Sequence, residues 1–395
     1  MRFRAGFVVT SVIGAVFLAS CADPDSDRAA KTPSHTSTHH HSNADAPASK
    51  PLRPGERFLD LTMPKPYTPK APTAPGTDDY RCFLLDPHLT KSAFITGHNV
   101  IPGQPDIVHH VILFRVAPEA VAEAERRDAN TKGEGWTCFG GPGVDAAGPE
   151  GLQFPPWLGA WAPGAGESIL ADDIGIPVQA GSRIVMQVHY NLLAGDDADT
   201  SSARLRLAPG SAHLDPLETM LLAAPVELAC RPGVTGRLCD RDAAVRDVAK
   251  RFGGQAGFAV AGLQLMCGGD PNHPKVSPTQ SCDRKISERA TVRAVAGHMH
   301  RLGKSIKLTL NPGTDRERVL LNIKNWDFNN QRTRPLDRPA TMRPGDVLRV
   351  TCTHDQARRD GVAELESRPE RYVVWGEGTT DEMCLGIAMV TQQKK

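Results

Sequence analysis

The chain has almost no net charge. Its 46 lysines and arginines stand against 45 aspartates and glutamates over 395 residues, so no field of one sign is present to attract nucleic acid or another strongly charged partner. None of its nine cysteines falls in a C-x-x-C pair, which weighs against thiolate metal sites and thioredoxin chemistry. No internal repeat is visible. Helical periodicity is scarce, confined to Pro118 to Arg127 and Asp242 to Phe252, which speaks against a helical or parallel α/β architecture. Long apolar runs are missing as well: the stretch from Phe7 to Leu18 is too short to span a bilayer comfortably.

That short run comes after Arg2 and Arg4 and ends in LASC, the pattern of an address rather than of a fold. It is similar to a bacterial lipoprotein signal, with residues 1–20 removed and Cys21 acylated as the first mature residue; an ordinary secretory signal with a free Cys21 is the alternative. The expectation is an exported protein, lipid-anchored to the cell envelope at the outer membrane or the periplasmic face. Eight further cysteines in such a protein read as four disulfides, with zinc ligation as the competing reading. From Ala22 to about Pro75 the sequence is rich in Pro, Ser, Thr, Ala and His, with few large apolar residues, and we assign residues 21–56 to a disordered tether. Its SHTSTHHHS segment, with His35, His39, His40 and His41, could gather metal ions loosely, although nothing fixes a coordination geometry and a polar linker accounts for it.

Beyond the tether the chain is a succession of strand signals: DDYRCFLLDP, VHHVILFRV, GSRIVMQVHYNL, SARLRLAPG, ATVRAVAGHMH, KSIKLTLNPG and GDVLRVTCTHD, separated by Gly, Pro, Asn and Asp clusters. The class is all-β, with antiparallel sandwiches favoured. Length asks for two domains, and APGSAHLDP, residues 208–216, interrupts the pattern near the middle, giving 57–210 and 211–395.

The histidines fall on these strands. In RIVMQVHYNL the period of two puts Ile184, Met186, Val188 and Tyr190 on one face and Val185, Gln187 and His189 on the other. In TVRAVAGHMH it puts His298 and His300 on one face, about 7 Å apart along the strand. His109 and His110, inside PDIVHHVILFRV, are harder: successive side chains on a regular strand point to opposite faces, so a shared ligand demands a bulge, a twist or a strand end. Without a metal, each histidine would be a surface or hydrogen-bonded core residue, and Met383 would be core filler.

Taken in order, HH, QVHY, HMH and DEMC, with LGAWAPG around Trp161, WDFNNQ from Trp326 and DDYRC ending at Cys82, give a chain that resembles the copper type II, ascorbate-dependent monooxygenases over roughly Leu61 to Val390. The resemblance implies two antiparallel, jelly-roll-like β-sandwich domains facing a cleft, with one copper each. It implies an electron-transfer copper on His109, His110 and His189, and an oxygen-activating copper on His298, His300 and Met383, the latter three catalytic. A thioether beside two imidazoles favours Cu(I), the state that meets dioxygen. Ascorbate or an equivalent reductant and O2 would be co-substrates, and an activated C–H bond of a small molecule would be hydroxylated. Disulfides Cys82–Cys138 and Cys352–Cys384 are also implied, leaving Cys230, Cys239, Cys267 and Cys282 with three possible pairings.

The chain departs from the peptide-amidating members where they anchor a substrate carboxylate: those positions read Ala296, Leu385 and Ile387. The expectation is a more apolar pocket and a less polar substrate. A copper-binding or copper-delivery lipoprotein without hydroxylase activity, or a structural surface protein, are the other readings. His88 and His354 are expected to make surface hydrogen bonds, and no mechanism requires Trp161, Gln187 or Tyr190.

Overall fold

In the computed structural model, residues 49–72, 76–144, 157–366 and 368–392 are described. Residues 1–20, Cys21 and the histidines of the tether lie outside them. Among the described residues no helix is long and apolar enough to cross a membrane.

The first half is a sandwich. One sheet carries, in order, Trp136–Thr137, Asp78–Leu85, Arg183–Asn191, Val108–Val116 and Trp157–Trp161. Facing it lie Arg57–Thr62, Ser202–Pro209, Ala93–Ile101 and Ile174–Val178. Alternation decides what goes between: Ile184, Met186, Val188 and Tyr190 all point into the buried core with Phe83, Leu113 and Leu205, and each such fully buried side chain contributes about 1.5–3 kcal/mol. His189 and Gln187 thereby turn to the outer face.

The second half repeats the plan with Asp215–Ala223, Leu385–Gln392, Ala290–His298 and Arg334–Met342 in one sheet and Thr279–Lys285, Val347–His354, Gly303–Leu310 and Arg318–Ile323 in the other. Val292, Ile306, Leu308, Val350 and Cys352 fill its interior. The two halves are joined by backbone. Asp215 and Pro216 pair in parallel with Ile174 and Gly175, so one nine-stranded sheet runs through both sandwiches. That step falls at the interruption read from the sequence.

Four disulfides are formed: Cys82–Cys138, Cys230–Cys239, Cys267–Cys282 and Cys352–Cys384. Two are the pairs implied by the family resemblance, and the other two settle the open pairing. The helix Val121–Ala129 and the helix Arg241–Phe252 lie where periodicity places them. A further helix, Gly254–Met266, lies beyond both periodic stretches. Its sequence, GQAGFAVAGLQLM, carries no charge and no polar stripe, and without two contrasting faces a helix leaves no periodic signal.

Candidate metal centre

The pairing of Val108–Val116 with Arg183–Asn191 runs Val108 opposite Tyr190 and then His110 opposite His189, with a register shift between. His109 is the extra residue. A bulge of this kind puts two consecutive side chains on one side of a strand, which is what the HH pair requires. The Nδ1 atoms of His109 and His110 are 3.3 Å apart, and those of His189 and His110 also 3.3 Å. Ring nitrogens held about 2.0 Å from a central ion in a tetrahedral shell stand about 3.3 Å from one another. The three imidazoles therefore fit a metal ion, and they form a group whose ligand atoms lie within 4.8 Å of one another.

Asp78 orients the third ring. Its Oδ1 is 2.8 Å from His189 Nε2, and because a carboxylate only accepts, the proton sits on Nε2 and the Nδ1 lone pair faces the cluster. Burial alone would raise the Asp78 carboxyl, but hydrogen bonds with His189 and Thr379 overcome it and hold the group well below the usual carboxylate range. The ring of Tyr80 stacks on His189 at 3.9 Å between centroids.

His298 ends the strand Ala290–His298, and His300 sits on the turn just past it. Their ring centroids are 5.1 Å apart. His298 Nδ1 lies 2.6 Å from Gln331 Oε1 and His300 Nδ1 lies 3.0 Å from the Asp381 carbonyl. Both Nδ1 atoms are donors, so each ring offers Nε2, and His300 Nε2 is buried with no partner. An orphaned buried acceptor costs about 1–3 kcal/mol, a penalty that a metal ion would remove. Met383 is buried and lines the same cavity as His298. Behind it the Glu382 carboxylate accepts from the backbone N–H groups of His300, at 3.0 Å, and Leu302, at 2.5 Å. His354 places Nε2 3.1 Å from the Met383 carbonyl. His354 is thus buried, not at the surface as expected, because its strand pairs in the sheet beneath the Met383 segment. His88 is exposed beside Asp86.

The two groups meet. His109 and His300 have ring centroids 5.9 Å apart, and His110 and His298 6.0 Å, so the five imidazoles form one cluster, with His109, His189 and His300 buried and His110 and His298 half-buried at the cavity wall. Burial, then the mutual repulsion of neighbouring rings, pushes His109 and His110 well below the usual imidazole range and His298 down to about 3. With folded values depressed, the unfolded chain binds more protons whenever the pH lies below about 6.5. Calorimetry of the metal-free protein should therefore show stability that is full at neutral pH and declines steadily as the pH falls from about 6.5 toward 3; a flat profile over that range would contradict the buried neutral cluster.

Comparison with known proteins is consistent with this arrangement. Residues 270–390 match the family profile described as copper type II ascorbate-dependent monooxygenase, C-terminal domain. Dopamine beta-hydroxylase of Rattus norvegicus is 23% identical over 357 residues, covering 85% of this chain and 48% of that protein. The chain is thus similar, over residues 270–390, to the C-terminal domain of copper type II, ascorbate-dependent monooxygenases, and over most of its length to one curated relative. It spans about half the length of that curated relative. Among solved structures, the major capsid protein P2 of bacteriophage PM2 aligns at 9% identity and TM-score 0.29, covering 86% of this chain and 98% of that one. A fucolectin from striped bass aligns at 9% identity and TM-score 0.20, covering 81% and 85%. Scores of this size carry no argument about fold or function.

Monooxygenases of this family use copper and ascorbate, and the donor set here suits copper: imidazoles throughout, with a thioether at hand for the reduced ion. Beside His110, His298 and Met383 opens a cavity of about 130 Å³. Ala296, Leu385 and Ile387, the three departures from the peptide-amidating members, all line it, with Phe114, Trp157 and Leu221. Trp161 and Gln187 border it too, which gives two residues without an assigned role a place in the wall. Arg332, an exposed side chain, also reaches the wall, so a cation is present there, although not on the strand where the peptide-amidating members carry theirs.

Sequence reasoning misses Glu377. It lines the cavity, its Oε2 accepts from Gly140 N–H at 3.0 Å, and it makes no ion pair among the described residues. Burial pushes its carboxyl up to about 7. Nothing in GEGTTDEMC marks it, because the loop that carries it has no period from which a face can be read.

Proposed function

We propose that the protein is a dicopper monooxygenase that hydroxylates an activated C–H bond of a small, largely apolar organic molecule. The observation that carries the reading is that the Nδ1 atoms of His109 and His189 each lie 3.3 Å from that of His110 at a strand bulge, next to two histidines that present Nε2. His109, His110 and His189 would hold the copper that passes an electron; His298, His300 and Met383 would hold the one that meets oxygen. Residues 57–210 and 211–395 would then be two copper-binding halves of one enzyme. When bound, the metal supplies one-electron transfer and the activation of dioxygen, with ascorbate or an equivalent reductant as donor.

The residues of the chain do the rest. Asp78, Gln331 and the Asp381 carbonyl each hold a proton on the ring nitrogen that faces away from the cluster, leaving the other lone pair free. Ile112, Phe114, Trp157, Leu385 and Ile387 keep water from the reacting carbon and present an apolar wall to the substrate. Glu377 offers one polar contact to a substrate that carries a matching group.

Four disulfides support export to an oxidising compartment, and we propose the lipid anchor at Cys21 as the means of retention at the envelope. The enzymatic reading is tested by loading the purified protein with copper. Two ions per chain are expected, with ascorbate-driven oxygen consumption that rises with an apolar substrate carrying a benzylic or similarly activated C–H bond and not with a peptide ending in glycine. Fewer than two bound ions, or better turnover of the peptide, would overturn it.

A further inference from the structure

We infer that Asp78 is a positioning residue that ties the two ligand groups into a single frame. The inference rests on the assignment of the six side chains to two copper sites, and it goes beyond that assignment in naming what couples them.

Asp78 is 3% exposed and accepts on every side. Its Oδ2 takes the Thr77 hydroxyl at 2.5 Å. Its Oδ1 faces His189 Nε2 at 2.8 Å, and the same oxygen takes both the backbone N–H of Thr379 at 2.8 Å and the Thr379 hydroxyl at 2.6 Å. Thr379 is 301 residues away in sequence and opens the segment that runs through Asp381 and Glu382 to Met383. One carboxylate oxygen therefore sets the proton on a ring of the first group while holding the backbone that carries the second. The coupling continues along that backbone: the Asp381 carbonyl receives His300 Nδ1 at 3.0 Å, and the Glu382 carboxylate receives the His300 N–H at 3.0 Å. Displacing Thr379 moves the carbonyl that fixes the tautomer of His300 and the residue next to the thioether.

A carboxylate is the group that can do this. It accepts several hydrogen bonds without a proton of its own, whereas an amide in its place either turns its NH2 to Thr77, whose hydroxyl can accept, and loses the negative charge that holds the proton on His189 Nε2, or turns it to His189 and Thr379 and loses the acceptor there. Thr379 can be altered more gently. Thr379→Ser keeps both donors, and Thr379→Val keeps only the backbone N–H.

The test is made on the full chain, first without metal. Nitrogen-15 NMR of the His189 ring should show the proton on Nε2 in the wild type and a redistribution toward Nδ1 in Asp78→Asn; a wild-type proton on Nδ1, or no redistribution in the variant, would overturn the inference whether or not the protein binds copper. With Cu(I) and a competing chelator, Asp78→Asn should weaken the three-histidine site about 10- to 100-fold. Thr379→Val should alter copper–sulfur scattering in X-ray absorption and weaken the methionine site, with Thr379→Ser close to wild type. Should Asp78→Asn fail to fold, the Thr379 pair decides the matter. A purely structural role would lower the melting temperature of Thr379→Val and leave the scattering of its folded fraction unchanged, and that result would also overturn the inference. Absence of copper from the wild type would instead count against the enzymatic reading, leaving the NMR result to judge the positioning role.

Discussion

Met383→Ile should bring copper loading down from two ions per chain to about one and reduce ascorbate-driven oxygen consumption at least about 100-fold, given that even outer contacts of a metal site are worth about 10- to 100-fold. Isoleucine keeps an apolar side chain of similar volume, so packing at this buried position changes little, but it has no sulfur. The lost property is the soft donor that favours Cu(I) over Cu(II) among hard and borderline ligands. His109, His110 and His189 sit on other strands, keep their Nδ1 convergence and should stay loaded, so the electron paramagnetic resonance spectrum of one Cu(II) site should persist. Normal oxygen uptake in the variant would remove Met383 from the site.

Removing the Cys352–Cys384 bridge should cost about 2–5 kcal/mol, the usual range for a native disulfide, and should weaken copper binding at the same methionine. Cys384 is the neighbour of Met383 and Cys352 lies on the strand Val347–His354, both fully buried. The bridge spans 32 residues and fixes the start of the strand Leu385–Gln392 against the opposing sheet. Replacing both cysteines with alanine releases that start and the contact of His354 with the Met383 carbonyl. The control is the Cys230–Cys239 bridge, which spans 9 residues and touches no ligand strand: its removal should lower stability less and leave copper affinity unchanged. Denaturant titration of both variants, with chelator competition for Cu(I), separates the two effects. Equal copper affinity in the folded Cys352→Ala, Cys384→Ala variant would show that the bridge does not position Met383.

Much of this site can be read from the chain because strands carry a strict period. The alternation that buries Ile184, Met186, Val188 and Tyr190 leaves His189 on the opposite face; His298 and His300 come together although the strand ends at His298 and His300 lies just past it. The HH pair is legible in another way, as a contradiction. Two neighbouring imidazoles cannot share a side of a regular strand, and the bulge at His109 is the resolution. The illegible part comes from groups distant in sequence or outside any period. Asp78 and Thr379 are ordinary polar residues until the fold brings them together, and Glu377 and Arg332 come from loops. His354 reads as a surface residue because it falls on none of the ligand motifs; only the pairing of its strand beneath Met383 buries it. The contact between the two histidine groups is equally hidden, since it depends on how the sandwiches are joined.

The shared nine-stranded sheet bears on how the protein can be taken apart. Severing the chain near residue 211 would break only the short parallel pairing of Asp215 and Pro216 with Ile174 and Gly175, while each of these strands keeps its other neighbour. Each half fills its own apolar core, so what such a cut disturbs is the seam between two separately packed sandwiches, where the histidines of both meet.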